Sequence, residues 1–163
     1  MSRPHVTIVC AISLDGKLST VARGPVRFTS KRDRARLHAV RAKADALLLG
    51  AATVRAEDPP LLPGTDEIAA RHAAGRRPLP VRAVVSGSLD VPVGRALRAR
   101  EGSPVFVFTR DGAPADRKAR LEATGATVSE VGDPLDPARV LAALGALGVE
   151  RVSCEGGGEL NAS

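Results

Sequence analysis

The sequence predicts an α/β domain built on a mainly parallel central sheet flanked by helices. Two observations carry that prediction. Six short runs along the chain are mostly continuous in apolar residues, as strands covered on both faces should be. Between several of them lie segments with helical spacing and helix start signals, and such a β-α-β alternation leads to parallel pairing. At 163 residues with 44% hydrophobic content, the chain is long enough for one domain with a core and too short for two. The whole of 1–163 therefore reads as a single domain, with no internal repeat.

The first strand is "VTIVCAI", Val6 to Ile12, which breaks into "SLDG". Ser30 and Asp33 then give an S-x-x-D start signal for a helix through "RARLHAVRAKA", with Leu37, Val40 and Ala44 as its apolar stripe. Arg34, His38 and Arg41 line the adjacent stripe. That stripe is either a solvated basic face or, at Arg41, the border of a cleft. "ALLLG", Ala46 to Gly50, is a strand, and Ala51 to Glu57 a short helix that Pro59 must end. The stretch Leu62 to Pro80 is punctuated by Pro and Gly and long for a connection, so it reads as a flap or an insertion. Strands follow at Val81 to Ser86, Pro104 to Thr109, Ala126 to Val131 and Val149 to Cys154, with helices at Ala115 to Thr124 and Pro137 to Leu147. "EGGGEL" should open a last helix.

Composition narrows the function classes. The net charge of +6 points to an anionic partner. The arginines are scattered, however, and three Phe with no Trp or Tyr leave little on which bases could stack, so a small phosphorylated ligand fits better than nucleic acid. No run approaches the roughly 20 apolar residues of a membrane span, and "MSRPHVT" lacks a signal-peptide core. A cytoplasmic protein with no membrane partner is expected. Cys10 and Cys154 have no further Cys or His at metal-ligand spacing and read as buried thiols, with no metal site. The zinc-deaminase signature, the Walker motif and the serine nucleophile elbow are all missing, which disfavours hydrolytic and zinc chemistry.

Ligands of parallel sheets bind beyond the carboxyl ends of the strands. "SLDG", "GAATVRAEDPPL", "FTRDG" and "CEGGGEL" all fall there. In "EGGGEL" free backbone N–H groups can face an anion with help from the helix dipole, or the glycines simply make a tight turn. "TVRAEDPPL" puts Thr53 and Glu57 four residues apart on one helix face. Glu57 and Asp58 can supply acid-base work or bind hydroxyls; alternatively Asp58 begins a turn and Glu57 is solvated.

Taken together, "RPHVTIVCAISLDGKLS", "TSKRDRARLHAVRAKADALLLGAATVRAEDPPL" and "CEGGGEL" resemble the reductase domain of riboflavin biosynthesis, within the dihydrofolate-reductase-like fold, over nearly the whole chain. The resemblance implies an enzyme that uses NADPH to reduce the ribose of a ribosylaminopyrimidine 5′-phosphate to the ribitylamino product, with hydride going to C1′ of an imine tautomer. It implies that Ala11, Ser13, Asp15 and Gly16 floor the nicotinamide site, that Thr53 and Glu57 also contact cofactor, and that Asp15 and Glu57 are the catalytic carboxylates. The family often has Asp at the position of Glu57. Arg41 would grip the substrate phosphate through its fork of donors, and Leu61 and Glu155 would border the ribose or base. Gly156, Gly157, Gly158, Glu159 and Leu160 would hold the cofactor diphosphate, and Thr109 and Arg110 the adenosine 2′-phosphate. Val9 stands where many relatives have Lys. Relatives also continue past "ELNAS" with strand-forming sequence that completes the sheet and helps form a homodimer, so a domain truncated at its C-terminus is expected. Two other readings stay open: a reductase of this fold acting on another small carbonyl or imine, and a non-catalytic NADPH-binding protein.

Overall fold

The computed structural model describes residues 3–21, 29–98 and 100–163. Its strands β1 (His5–Ile8), β2 (Ala46–Gly50), β3 (Val81–Val85), β4 (Val105–Thr109), β5 (Thr127–Glu130) and β6 (Arg151–Cys154) form one sheet in the order β1-β6-β2-β3-β4-β5. Every pairing is parallel. The connections carry helices α1 (Lys31–Lys43), α2 (Ala51–Glu57), α3 (Thr65–Ala73), α4 (Ala115–Glu122) and α5 (Pro137–Ala146), and α6 (Gly158–Ala162) follows the last strand.

Alternation along the strands sends side chains to the two faces of the sheet. Leu47 and Leu49 join Val84, Val107, Val54 of α2 and Leu121 of α4 in one core, closed from outside by Leu89, Val91 and Leu97 of the long β3–β4 connection. Leu48, Ala83, Phe108 and Val152 pack on the other face under Val140, Leu141 and Leu144 of α5. The apolar runs at β2, β3 and β4 are therefore strands covered on both sides, whereas β1 at the sheet edge is largely exposed.

The helix signals are realised locally. Ser30 accepts from the Asp33 backbone N–H at 3.1 Å while the Asp33 carboxylate accepts from the Ser30 N–H at 2.8 Å, a complete capping box. α2 stops ahead of Pro59, with Asp58 in the left-handed region at φ 40°. The Asp58 carboxylate accepts from the Arg95 and Ala96 N–H groups at 2.8 and 2.9 Å. Asp58 thus belongs to the framework that holds the β3–β4 connection, as the turn reading required. Arg82 performs a similar task from inside. Fully buried in β3, it donates to the Ser103 hydroxyl and carbonyl and to the Ala96 carbonyl. Burial with no carboxylate partner, and then the charge of Arg100, push its guanidinium down to about 10.

Two expectations need correction and one gains detail. The stretch Leu62 to Pro80, read as a flap or an insertion, carries α3 in its middle. That helix docks on the end of α1 through polar contacts, with Arg71 donating to the Ala42 and Ala44 carbonyls, so it shows no apolar stripe for periodicity to detect. The first strand ends at Ile8 rather than Ile12. It lies at the sheet edge, and its partner β6 ends at Cys154; Val9 N–H still donates to the Cys154 carbonyl at 2.8 Å before the chain leaves the sheet. Cys10 is consequently exposed, whereas Cys154 is buried. Among the described residues no helix is long and apolar enough to cross a membrane.

Candidate active site

From β2 the chain steps through β3 and β4 to β5 in one direction, and α5 then carries it back so that β6 lands on the opposite side of β2. The point where strand order reverses leaves a crevice at the carboxyl ends. A cleft of about 980 Å³ opens there. Thr53 and Glu57 of α2 form one wall and Ser86, Gly87 and Ser88, just past β3, the facing one. Gly157, Gly158, Glu159 and Leu160 lie between them, and Leu18 to Val21 close a further side.

The glycines are explained by contacts. Glu155 N–H donates to the Leu48 carbonyl at 2.9 Å and Gly50 N–H to the Gly156 carbonyl at 2.7 Å, fastening the turn after β6 to the end of β2. Gly156 sits at φ +97°, where an L side chain would be strained. At Gly157 a Cβ would stand 3.2 Å from Thr53 Oγ1, tighter than ordinary packing. The absence of side chains therefore keeps bare main chain against the Thr53 hydroxyl. α6 has only 5 residues. An anion at this turn would meet local N–H groups, without the macrodipole of a long helix that the sequence suggested.

The cleft brings together Thr53, Glu57, Gly157, Gly158, Glu159 and Leu160 of the expected site residues. Gly156 is buried just beneath. Other expected residues lie elsewhere. Ala11, Ser13, Asp15 and Gly16 form no part of the cleft lining. They make a turn closed on itself, in which Ser13 Oγ donates to the Asp15 carboxylate, Gly16 N–H to the Ser13 carbonyl and Ser13 N–H to the Lys17 carbonyl. Leu61 is fully buried in the first core and outside the cleft lining. Thr109 is likewise buried and Arg110 lies on the surface, both outside the cleft.

Arg41, expected to grip a substrate phosphate, has its donors engaged inside the protein. Its Nε and Nη2 donate to the two carboxylate oxygens of Glu155 at 2.8 and 2.6 Å, and its Nη1 to the Leu62 carbonyl at 2.8 Å. Both side chains are only 7% exposed. The fork assigned to a substrate phosphate is filled by a carboxylate of the protein itself. This pair ties α1 to the end of β6 and to the segment after α2.

The residues the sequence reading passed over are Ser86, Gly87 and Ser88. They follow a strand just as the recognised motifs do, and that position was the available signal. The Ser86 Oγ is buried with no hydrogen-bond partner among the described residues. The loop is fixed from outside by Arg117, which donates to the Ser88 carbonyl, and by Arg55, which donates to that of Asp90. Arg55 is the one cation in the described lining, against Glu57 and Glu159. The positive charge of the chain does not collect here. Burial pushes the Cys154 thiol up, which the Gly156 N–H only partly offsets, so this sulfur beneath the turn is not poised as a nucleophile. Among the described residues no group of His, Cys, Asp and Glu is placed to hold a metal ion.

A parallel sheet with a cleft at its switch point is the arrangement in which α/β enzymes bind their ligands. The chain belongs to the family of the RibD C-terminal domain, whose model matches residues 4–163. It is 32% identical to the 2,5-diamino-6-ribosylamino-4(3H)-pyrimidinone 5′-phosphate reductase of Aquifex aeolicus, over 99% of this chain and 70% of that protein. The reductase of the same name from Archaeoglobus fulgidus is 33% identical over 99% and 74%. Among solved structures, a pyrimidine reductase-like protein from Corynebacterium diphtheriae superimposes with a TM-score of 0.84 at 24% identity, over 96% of this chain and 67% of that one, a likeness of fold.

Proposed function

We propose that this domain reduces the ribose of a ribosylaminopyrimidine 5′-phosphate to the ribitylamino product, with NADPH as reductant. The observation that carries this reading is the 980 Å³ cleft, in a chain of the family to which the Aquifex and Archaeoglobus reductases belong. Its size, at the upper end of the roughly 300–1,000 Å³ of small-molecule sites, suits a dinucleotide. The bare main chain at Gly157, the neighbouring Thr53 hydroxyl and the unpartnered Ser86 hydroxyl suit its phosphates and sugars.

The cofactor supplies a hydride. On the substrate, the opened sugar presents a C=N bond at C1′; reduction forms a C1′–H bond with that hydride and an N–H bond with a proton, leaving a secondary amine. The chain must orient C1′ and deliver the proton. We assign that proton to Glu57 Oε, exposed in the cleft wall and sharing the lining with Glu159, rather than to Asp15, bound up in its own turn. Arg41 and Glu155 position the end of β6 beside the substrate. We assign the 2′-phosphate of NADPH to the Ser86–Ser88 loop beside Arg55, in place of Thr109 and Arg110.

The test is NADPH oxidation, followed by its absorbance with and without the ribosylaminopyrimidine phosphate, in the parent protein and in Glu57→Gln. Substrate-dependent oxidation with kcat lowered about 10²-fold or more in the variant is expected, the usual worth of a general acid. Binding of NADPH with no oxidation by any such substrate refutes the catalytic reading, and an unchanged kcat in Glu57→Gln refutes the assignment of the proton.

A further inference from the structure

Positive charge gathers at the end of the sheet opposite the cleft, where α1 and α3 end and β3 and β6 begin. A second, smaller cavity of about 220 Å³ opens there, bounded by Arg71, Arg76 and Arg77 with Asp45 on one side and by Leu147 and Gly148 on the other. Part of this cluster is structural. Arg71, only 4% exposed, donates from Nε to the Arg77 carbonyl and from Nη1 to the carbonyls of Ala42 and Ala44. Arg76 donates to the same helix end and to the Asp45 carboxylate at 2.7 Å. Cations there answer the orphan carbonyls and the negative end of α1.

That role leaves donors over. Among the described residues, neither Arg71 Nη2 nor any side-chain nitrogen of Arg77 has an acceptor, and both residues line the cavity. Arg151, at the start of β6, adds a further cation. Burial, and then the charges of Arg76 and Arg151, push the Arg71 guanidinium below its ordinary value despite Asp45. Three arginines thus line the cavity with one carboxylate, and such an excess is relieved by a bound anion. Forked donors converging from several side chains suit a tetrahedral oxyanion. The cavity is smaller than the roughly 300–1,000 Å³ of ordinary ligand pockets, so the anion must be small. Leu147, half exposed, and Gly148, with open space where a Cβ would stand, leave its mouth accessible.

We propose that this cavity is a second anion site, separate from the cleft, in which the spare donors of Arg71 and Arg77 bind a small tetrahedral oxyanion such as phosphate, with Arg76 adding its charge. The probe is inorganic phosphate, titrated against backbone amide NMR signals at an ionic strength held constant with chloride. Saturable shifts at Arg77 and Gly148 that chloride alone does not produce are expected. Arg77→Ala removes an exposed side chain and should weaken binding at least about tenfold, the worth of one charge-assisted hydrogen bond. Leu147→Glu, which places a carboxylate at the mouth, should abolish the shifts and serves if the first variant folds poorly. Shifts identical with phosphate and chloride, shifts confined to Thr53 and Gly158 in the cleft, or binding undiminished in Leu147→Glu would each overturn the proposal.

Discussion

Replacing Arg41 by Met should unfold this protein far more readily than removing a ligand-binding arginine would. In the structure the Arg41 fork is matched to both oxygens of Glu155, and its third bond goes to the Leu62 carbonyl. Both side chains are almost fully enclosed. Removing the cation strands a buried carboxylate, and breaking such a pair from one side costs about 3–5 kcal/mol. For a chain of this length 1 kcal/mol moves Tm by roughly 2–4 °C, so Tm should fall by about 6–20 °C. Arg41→Lys keeps the charge but loses the two-pronged geometry, and should fall between the two. Arg41→Met combined with Glu155→Leu should recover much of the loss, because well-packed apolar residues often replace a buried pair at little cost. Urea denaturation of the parent, Arg41→Met, Glu155→Leu and the double variant, with the slope checked for constancy, measures the cycle. A loss below about 1 kcal/mol for Arg41→Met, or a double variant no more stable than the single, refutes the reasoning. Arg41 would then be free in the unliganded protein and available to a substrate phosphate after all.

Three further outcomes follow from the geometry. Ser86→Ala removes a buried hydroxyl that has no partner, so stability should hold or rise while cofactor affinity, measured by fluorescence titration, falls several-fold; a stability loss above about 1 kcal/mol would mean that the hydroxyl is satisfied. Gly157→Ala should leave the fold intact, since Gly157 has an ordinary φ of −52°, but should crowd Thr53 and weaken cofactor binding; unchanged affinity would move the cofactor away from this turn. Asp45 is held below its ordinary carboxylate value: burial alone would raise it, but the bond from Arg76 and the N–H groups of Arg151 and Glu150 prevail. Its contribution to stability is therefore complete at neutral pH, begins to fall near the unfolded value of 3.8 and is lost below the native one. The urea midpoints of the parent and Asp45→Asn should differ at pH 7 and converge in acid, and a pH-independent gap would contradict the linkage.

What the sequence made legible was what short-range physics decides. The capping box at Ser30, the stop at Pro59 and the covered central strands depend on neighbours a few residues away and appear as expected, while the exposed edge strand β1 does not. The rule that ligands sit beyond carboxyl ends located the cleft, and it would have added Ser86 had it been applied to β3 as it was to the other strands. Residue roles that depend on distant partners were hidden. Arg41 meets Glu155 across 114 positions of sequence, and nothing local distinguishes a guanidinium that will be buried against a carboxylate from one that will wait for a phosphate. α3 was hidden for a related reason, since its anchor is an arginine rather than an apolar stripe.

The same point explains why net charge misled. A surplus of 6 positive charges looked like the imprint of an anionic ligand, yet the described cleft wall has one arginine against two glutamates. Many of the arginines donate to the protein's own carbonyl groups. Arg55, Arg117 and Arg120 hold the carbonyls of residues 88–91, Arg82 holds those of Ala96 and Ser103, Arg95 that of Asp58, and Arg71 and Arg76 close the end of α1. A connection or helix end that runs over the core must satisfy its carbonyl oxygens somehow. In a chain with 3 aromatic residues and few amides to spare, the guanidinium, with five donors on a long apolar stem, is the group able to do so. Each such arginine adds to the net charge without pointing to any ligand. The informative cations are those left without an internal acceptor, and the structure places Arg77 and the free edge of Arg71 among them, at the far end of the sheet from the cleft.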